Sequence, residues 1–155
     1  MRGQVLRLKG RSQIDVISDI GMKDYFNDNL QNLSQIVGTY DDKKNEYNVT
    51  MGTKVAEQQY RPTTTTISYS ETVNGWVSFK SFGPEAGVSL NNEYYTFKEG
   101  SMWQHHVNTT ANNFYGTQYY SDITMLFNDQ PGPVKSFNTL NYEGTQARIS
   151  AFTTV

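Results

Sequence analysis

The sequence predicts a mainly β fold, with antiparallel hairpins in propeller-blade-like or sandwich-like sheets and one amphipathic helix near residues 22–34. Two observations predict this fold. From residue 38 onward, short β-prone segments alternate with turn residues such as Asn and Gly, a pattern typical of hairpins. Aromatic residues make up 14% of the chain while the hydrophobic fraction is only 36%, so rings must fill much of the core. A length of 155 residues predicts one β-rich unit over residues 1–155.

The N-terminal part, residues 1–37, is expected to hold one hairpin and the helix. Residues 4–8 and 14–18 have the composition of short strands, and residues 9–12 form the turn between them. The spacing of apolar residues then becomes helical, and we expect this apolar stripe to pack in the core and the helix to end at Gly38. The stripe consists of Met22, Tyr25, Phe26, Leu30, Leu33 and Ile36.

Residues 38–155 are predicted to form an array of hairpins. Three polar turns, at residues 43–45, 72–74 and 91–92, contain Asn, which tolerates the positive φ that tight hairpin turns require. Phe82-Gly83-Pro84-Glu85 is expected to separate the second hairpin from the third. Later strands are predicted at residues 114–119, 123–127, 133–140 and 146–153.

The first two hairpins share a register. Residues 40–47 align without a gap on residues 69–76, with an aromatic residue at the first and last positions of each. We expect these hairpin aromatics to face a shared core. Two explanations of the shared pattern remain open. It is either chance or a pattern common to hairpins in general, or the two hairpins are units of a blade-like array in which each small sheet packs on the next. The hairpin aromatics are Tyr40, Tyr47, Tyr69 and Trp76.

Composition excludes several kinds of site. The absence of cysteine removes disulfides, thiolate zinc sites and iron–sulfur clusters. A formal net charge of −2 argues against general nucleic-acid binding, which needs a clustered basic face. No apolar stretch is long enough for a membrane segment or a signal peptide. One basic cluster is interpreted as a solvated strand edge, with a phosphate contact as the alternative: Arg2, Arg7, Lys9 and Arg11.

The sequence predicts no catalytic residues, no metal site and no cofactor. His105 and His106 are adjacent, so on a strand they would point to opposite faces and could not easily share a metal. We therefore expect them at the surface or at an interface. Asp41 and Asp42 lie at a hairpin shoulder, where acidic residues serve turn geometry. No nucleophile elbow or phosphate-binding loop is present.

Aromatic residues are the best candidates for contacts with another molecule. A doublet such as Tyr94-Tyr95 places one ring inward and one outward on a strand, and outward tyrosines are enriched at protein interfaces. Core packing and stacking on sugars are the second and third interpretations. The candidate interface aromatics are Tyr94, Tyr95, Trp103, Tyr119 and Tyr120.

Six strings of the sequence carry a family resemblance: VLRL (5–8), ISDIGMKDYFND (17–28), GTYDDKKNEY (38–47), GWVSFKSF (75–82), YYTFKEG (94–100) and VKSFNTLNYEG (134–144). They resemble the muzzle family, large tail proteins in the virions of crAss-like tailed phages of Bacteroidetes hosts. The resemblance is collinear over about residues 3–150. Members of this family are much longer than 155 residues, so the chain is expected to be part of a larger protein.

The resemblance implies a non-enzymatic structural component of the phage tail, assembled in the bacterial host cytoplasm. Its partners would be copies of itself and other tail proteins, in ring-like assembly around a DNA channel without specific nucleic-acid binding. We expect its hairpins to bury aromatics and to present flat polar faces to neighbouring subunits. The alternative is a carbohydrate-binding or host-recognition module that binds a host surface glycan. A glycan-cleaving enzyme is the third possibility, and it requires two carboxylates facing each other in a groove.

Overall fold

The computed structural model describes residues 3–31, 33–53, 64–124, 131–136 and 138–139. The chain divides into two compact units, Met1–Ser121 and Asp122–Val155. The described residues of the first unit form antiparallel sheets and a single α-helix. The predicted mainly β fold with one helix is therefore confirmed.

The first unit begins with a two-stranded hairpin followed by the helix. Strands β1 and β2 pair Leu6 with Val16 and Leu8 with Ile14, around the predicted turn at residues 9–12. A single 3-10 turn leads from β2 to the helix. The bounds are β1 Leu6–Lys9, β2 Gln13–Val16, the 3-10 turn Ile17–Asp19 and α1 Lys23–Asn29.

The helix is shorter than the predicted range of 22–34, and Gly38 does not end it. Asn29 Nδ2 donates a hydrogen bond to the Tyr25 carbonyl, and Gln31 Nε2 donates to that of Asn27. The Gln31 side chain thus satisfies the Asn27 carbonyl, which the Gln31 backbone amide would use in another helical turn. From Leu33 onward the chain pairs with a neighbouring strand instead, so Leu33, Ile36 and Gly38 lie in β3. Pairing with that strand overrides the helical periodicity.

Four strands form the central antiparallel sheet in the order β3-β4-β5-β6. The two predicted hairpins at residues 40–47 and 69–76 both lie in this sheet, and β4 pairs with β5 between them. They therefore join edge to edge rather than as two sheets that pack on each other. The strands are β3 Leu33–Asp41, β4 Glu46–Thr53, β5 Thr64–Ser70 and β6 Gly75–Lys80.

One face of the four-stranded sheet carries the aromatic row and the apolar core. The four hairpin aromatics are cross-strand neighbours in the order Tyr40, Tyr47, Tyr69 and Trp76. Helix α1 covers this face, since the ring of Phe26 lies 4.7 Å from that of Trp76. Phe26, Met51 and Ile67 form the buried centre of the core. The 29-residue spacing of the two hairpins thus aligns one continuous row of rings.

A three-stranded sheet with the order β7-β8-β9 follows. As predicted, Asn at its first turn has positive φ, 53° for Asn91 and 60° for Asn92, and Asn45 at the β3–β4 turn has 53°. A short hairpin, in which each strand has two residues, comes next. The bounds are β7 Ala86–Leu90, β8 Glu93–Lys98, β9 Ser101–Gln104, β10 Asn113–Phe114 and β11 Thr117–Gln118.

The predicted strands after residue 113 are largely wrong where the structure describes them. Only the short β10–β11 hairpin occurs within residues 114–119. Residues 123–124, 133–136 and 138–139 are not in strands, and Pro131 and Pro133 remove backbone donors that a ladder would need. The rest of the predicted ranges, and all of 146–153, lie outside the described residues. Within the described part of the chain, no helix has the length and apolar character of a membrane span.

Candidate protein interface

The second face of the four-stranded sheet is a buried layer of hydroxyl, amide and carboxylate groups, here called the polar layer. Thr50 Oγ1 and Thr66 Oγ1 lie 2.7 Å apart, and Thr66 also donates to the Phe82 carbonyl at 2.5 Å. Ser68 donates to Asn48 Oδ1 at 2.6 Å. Buried polar groups are tolerated when they are paired in this way. The polar layer consists of Thr39, Asp41, Asn48, Thr50, Thr66, Ser68 and Ser70.

The three-stranded sheet covers this layer with its inner face. Tyr94 Oη and Thr39 Oγ1 lie 2.7 Å apart in a buried contact. Ser89 Oγ donates to the Tyr40 carbonyl and accepts from the Asp42 amide, so it satisfies two backbone groups at the end of β3. The polar face of the two hairpins is therefore occupied within the chain. This corrects the expectation that these hairpins present flat polar faces to neighbouring subunits.

His106 bonds across the contact between the sheets, whereas His105 bonds within the three-stranded sheet and packs against Phe82 after β6. His106 Nε2 lies 2.6 Å from Asp41 Oδ2, and Asp41 Oδ1 accepts the Lys44 amide as expected for a hairpin shoulder. His105 Nε2 lies 2.8 Å from Thr96 Oγ1, which also contacts the Tyr115 hydroxyl. His105 is only 7% exposed, so the predicted surface position is wrong for this residue. The rings of Phe82, Tyr94, Phe114 and Tyr115 enclose it.

Burial controls the ionisation of this cluster. It lowers the pKa of His105 from 6.5 to about 4, helped by the charge of His106 and opposed by that of Asp41. Burial also raises the pKa of Tyr115 to about 12 and raises that of Tyr94. His105 is thus neutral at pH 7 and hydrogen-bonds as an uncharged ring. The arrangement holds two sheets together.

Tyr94→Phe tests this contact against its neighbour Tyr95. The change leaves the Thr39 hydroxyl without its tyrosine partner in a buried site, and we expect it to lower the free energy of unfolding by about 1–3 kcal/mol. Tyr95→Phe removes the same hydroxyl from the opposite face of β8, and we expect little change. Urea unfolding of the two full-length variants measures the difference. Equal losses would show that the hydroxyl of Tyr94 does not fasten the sheets.

The other side of the three-stranded sheet is apolar and exposed, and we call it the outer face. Register pairs Val88 with Tyr95 and Phe97 with both Ala86 and Met102, so their side chains lie on one side of the sheet. Among Val88, Leu90, Phe97 and Met102, the exposed fraction of the residue runs from 39% for Phe97 to 65% for Met102. A contiguous apolar patch of this kind marks an interaction surface. The outer face consists of Ala86, Val88, Leu90, Tyr95, Phe97 and Met102, together with Glu93 and Gln104, which bond to each other at one end.

The candidate interface aromatics lie in different places. Tyr94 is completely buried, so strand alternation removes it from any interface and turns Tyr95 to the outer face. Trp103 is partly exposed and its ring packs edge-on against Tyr115. Tyr119 packs against Phe114, whereas Tyr120 is almost fully exposed. The structure brings none of the last three onto the outer face.

Arg7 in the basic cluster is engaged within the chain. Its guanidinium contacts Asp15 at 2.9 Å and Glu71 at 2.7 Å. The hydrogen bond to Asp15 and the contact with Glu71 raise its pKa. Arg7 therefore ties the N-terminal hairpin to the four-stranded sheet. Lys9 and Arg11 lie at the exposed tip of that hairpin, and Arg2 lies outside the described residues.

The described residues offer limited means for chemistry. They contain no group of three or more His, Cys, Asp or Glu side chains placed to hold one metal ion. The Asp41–His106 pair is a hydrogen-bonded acid and imidazole. The geometry of this pair supports packing of the two sheets.

Comparison with known proteins gives two matches to the same kind of protein. Residues 109–155 match the Crassvirus muzzle protein C-terminal domain. The chain is similar to muzzle proteins of crAss-like phages. The curated Muzzle protein of Bacteroides phage crAss001 is 34% identical over 77 residues, which is 49% of this chain and 6% of that protein. The chain thus spans a small part of the muzzle protein it matches, and no solved structure matches it.

These matches confirm the resemblance that the six strings predict. Sequence reasoning predicted that one ring of the Tyr94-Tyr95 doublet points outward without deciding which, and it missed the other apolar residues of the outer face. The signal was present in β7, where Ala86, Val88 and Leu90 alternate with Gly87 and Ser89. It was missed because alternation shows that the two faces of a strand differ in polarity but does not show which face the rest of the chain covers. In this sheet the polar face is the inner one.

Proposed function

We propose that this chain is a non-enzymatic structural component of a phage virion, positioned in the tail, which acts through contacts with other subunits. Its similarity to muzzle proteins supports a virion role. The outer face is the observation that supports action through subunit contacts. Its six apolar or aromatic side chains are removed from water only when another molecule covers them.

The internal use of polar groups supports the same proposal. Thr96, Tyr115 and His105 bond to one another, and Asp41 bonds to His106. The Thr96 contacts brace the three-stranded sheet against the β10–β11 hairpin, while Asp41–His106, Thr39–Tyr94 and the Ser89 bond to Tyr40 join it to the four-stranded sheet, so the outer face is displayed on a fixed support. A rigid, preformed surface loses little conformational entropy when it binds. That suits a protein that builds an assembly.

Quantitative mass spectrometry of gradient-purified virions tests the proposed function. We expect peptides of this chain in intact particles, in a fixed ratio to the other structural proteins. The peptide of residues 99–135, bounded by Lys98 and Lys135, is a suitable reporter. Absence of these peptides from particles, with their presence in the infected-cell lysate, would contradict a virion role.

The carbohydrate-binding alternative stays a prediction with its own test. Trp103 and Tyr120 are the partly or fully exposed rings that a sugar could reach. Titration of the chain with host polysaccharides, followed by tryptophan fluorescence, measures such binding at Trp103. A saturable shift would favour a host-recognition module over the proposed structural role.

A further inference from the structure

The N-terminal hairpin carries a second exposed apolar surface, here called the hairpin face. Leu6 pairs with Val16 and Leu8 with Ile14, so the four side chains share one side of the two strands. Their exposed fractions run from 36% for Val16 to 66% for Leu8. A two-stranded hairpin with an uncovered apolar face is marginal in water. This hairpin therefore gains stability from any partner that covers the face.

The hairpin face and the outer face lie on opposite sides of the four-stranded sheet. Arg7 on the other side of the hairpin reaches Tyr69, which belongs to the aromatic face of that sheet. Tyr94 reaches Thr39, which belongs to the polar layer on the reverse face. Each apolar face is turned away from the central sheet. One copy can therefore meet a second copy with one face while it leaves the other face open.

The two faces also differ in charge. Residues 3–16 carry three cations and one carboxylate, whereas residues 85–104 carry three carboxylates and one cation. Because Arg7 is paired with Asp15 and Glu71, the surplus positive charge of the hairpin lies at its exposed tip, on Lys9 and Arg11. Glu93 stands beside Leu90 at one end of the outer face and pairs with Lys43, so the surplus negative charge of residues 85–104 lies on Glu85 and Glu99. Opposite charge at the rims steers and aligns such a contact.

The two faces are of comparable extent, with four apolar side chains on the hairpin face and six apolar or aromatic ones on the outer face. Each covers part of one side of a standard interface of ~800 Å² per partner. Polar residues at the rims supply the remainder of such an interface. A contact between two unlike faces of the same chain is heterologous, so it extends from copy to copy.

We propose that copies of this chain associate head to tail, with the hairpin face of one copy packed on the outer face of the next. The occupant of each apolar face is then a second copy, and the Lys9–Arg11 tip lies near the carboxylates of the β7–β9 sheet. This inference rests on the proposed function, because it names the subunit contact through which the chain would act.

A charge exchange tests the pairing of the two faces. In sedimentation velocity of the full chain, Lys9→Glu/Arg11→Glu and Glu93→Lys/Glu99→Lys are each expected to weaken self-association at least tenfold. Mixing the two variants in equal amounts is expected to restore it, because opposite charges then face each other. Near-ultraviolet circular dichroism confirms that each variant retains its packed aromatic rings. A mixture that stays dissociated, or single variants that associate like the unaltered chain, would overturn the proposal.

The apolar contact has a matched control. Leu8→Thr/Ile14→Thr and Leu90→Thr/Met102→Thr keep strand-forming residues but remove apolar surface, and each is expected to weaken association at least tenfold. Ile36→Thr/Val73→Thr alters equally exposed residues outside both faces and is expected to leave association unchanged. A chain that is monomeric at all concentrations overturns the head-to-tail contact, while detection in virions still supports the proposed function. Absence from virions combined with head-to-tail association would instead overturn the proposed function alone.

Discussion

Phe26→Ala is expected to lower the free energy of unfolding by about 3–5 kcal/mol. The Phe26 side chain has no solvent exposure and lies at the centre of the core formed by α1 and the four-stranded sheet. Its ring contacts those of Trp76 and Tyr25. Removing it leaves a cavity that strands β4 and β5 cannot fill, since their backbones are held by ladder hydrogen bonds. Urea unfolding of the full chain measures the loss.

Phe79→Ala is the matched control for this prediction. Phe79 also packs against Tyr25, with ring centroids 5.4 Å apart, but it is 58% exposed. Water replaces its lost contacts, so we expect a cost below about 1 kcal/mol. If the two substitutions destabilised the chain equally, helix α1 would not be anchored by burial of Phe26.

Acid is expected to destabilise the cluster of rings around His105, where Phe82 packs on the three-stranded sheet. Burial lowers the pKa of His105 in the folded chain from 6.5 to about 4, so between these values the unfolded chain binds the additional proton. The stabilising effect of the neutral ring is fully present above pH 6.5 and is lost as the pH falls toward 4. The linkage relation gives a loss on the order of 3 kcal/mol over this interval. Urea unfolding at a series of pH values measures it.

His105→Gln separates this effect from the titration of the carboxylates. Glutamine offers an amide near the position of Nε2, where Thr96 bonds the ring, but it does not titrate. We expect the variant to be less stable at pH 7 and to lose less stability than the unaltered chain between pH 6.5 and 4. Parallel pH profiles for the two proteins would show that His105 has the same pKa in the folded and the unfolded chain, and would contradict the prediction.

The sequence predicts best those features that depend on local rules. Asn45, Asn91 and Asn92 take the positive φ that their turns require. Alternation along β8 predicts that one ring of the Tyr94-Tyr95 doublet points inward, and the structure shows that it is Tyr94. The helix begins near residue 22 because its apolar spacing is local as well. In each case the physical cause lies within a few residues of the chain.

Features that depend on distant partners could not be predicted in the same way. Leu33 and Ile36 fit a helical stripe, yet pairing with β4 makes them part of a strand. The Thr and Ser residues of β5 have the composition of a solvent-facing strand, yet β8 and the segment around Phe82 cover them. His105 is buried only because three other elements place rings around it. Tertiary pairing decided each of these outcomes.

Hydroxyl-radical footprinting of intact virions, compared with the isolated chain at low concentration, tests the central claim most directly. Met102 reports on the outer face because its thioether is readily oxidised and its side chain is 65% exposed. The account predicts that labelling of Met102, Phe97 and Leu90 falls at least fivefold in particles, while labelling of Val73 stays the same. Equal labelling of the outer face in particles and in the isolated chain would show that no subunit covers it, and would contradict the account.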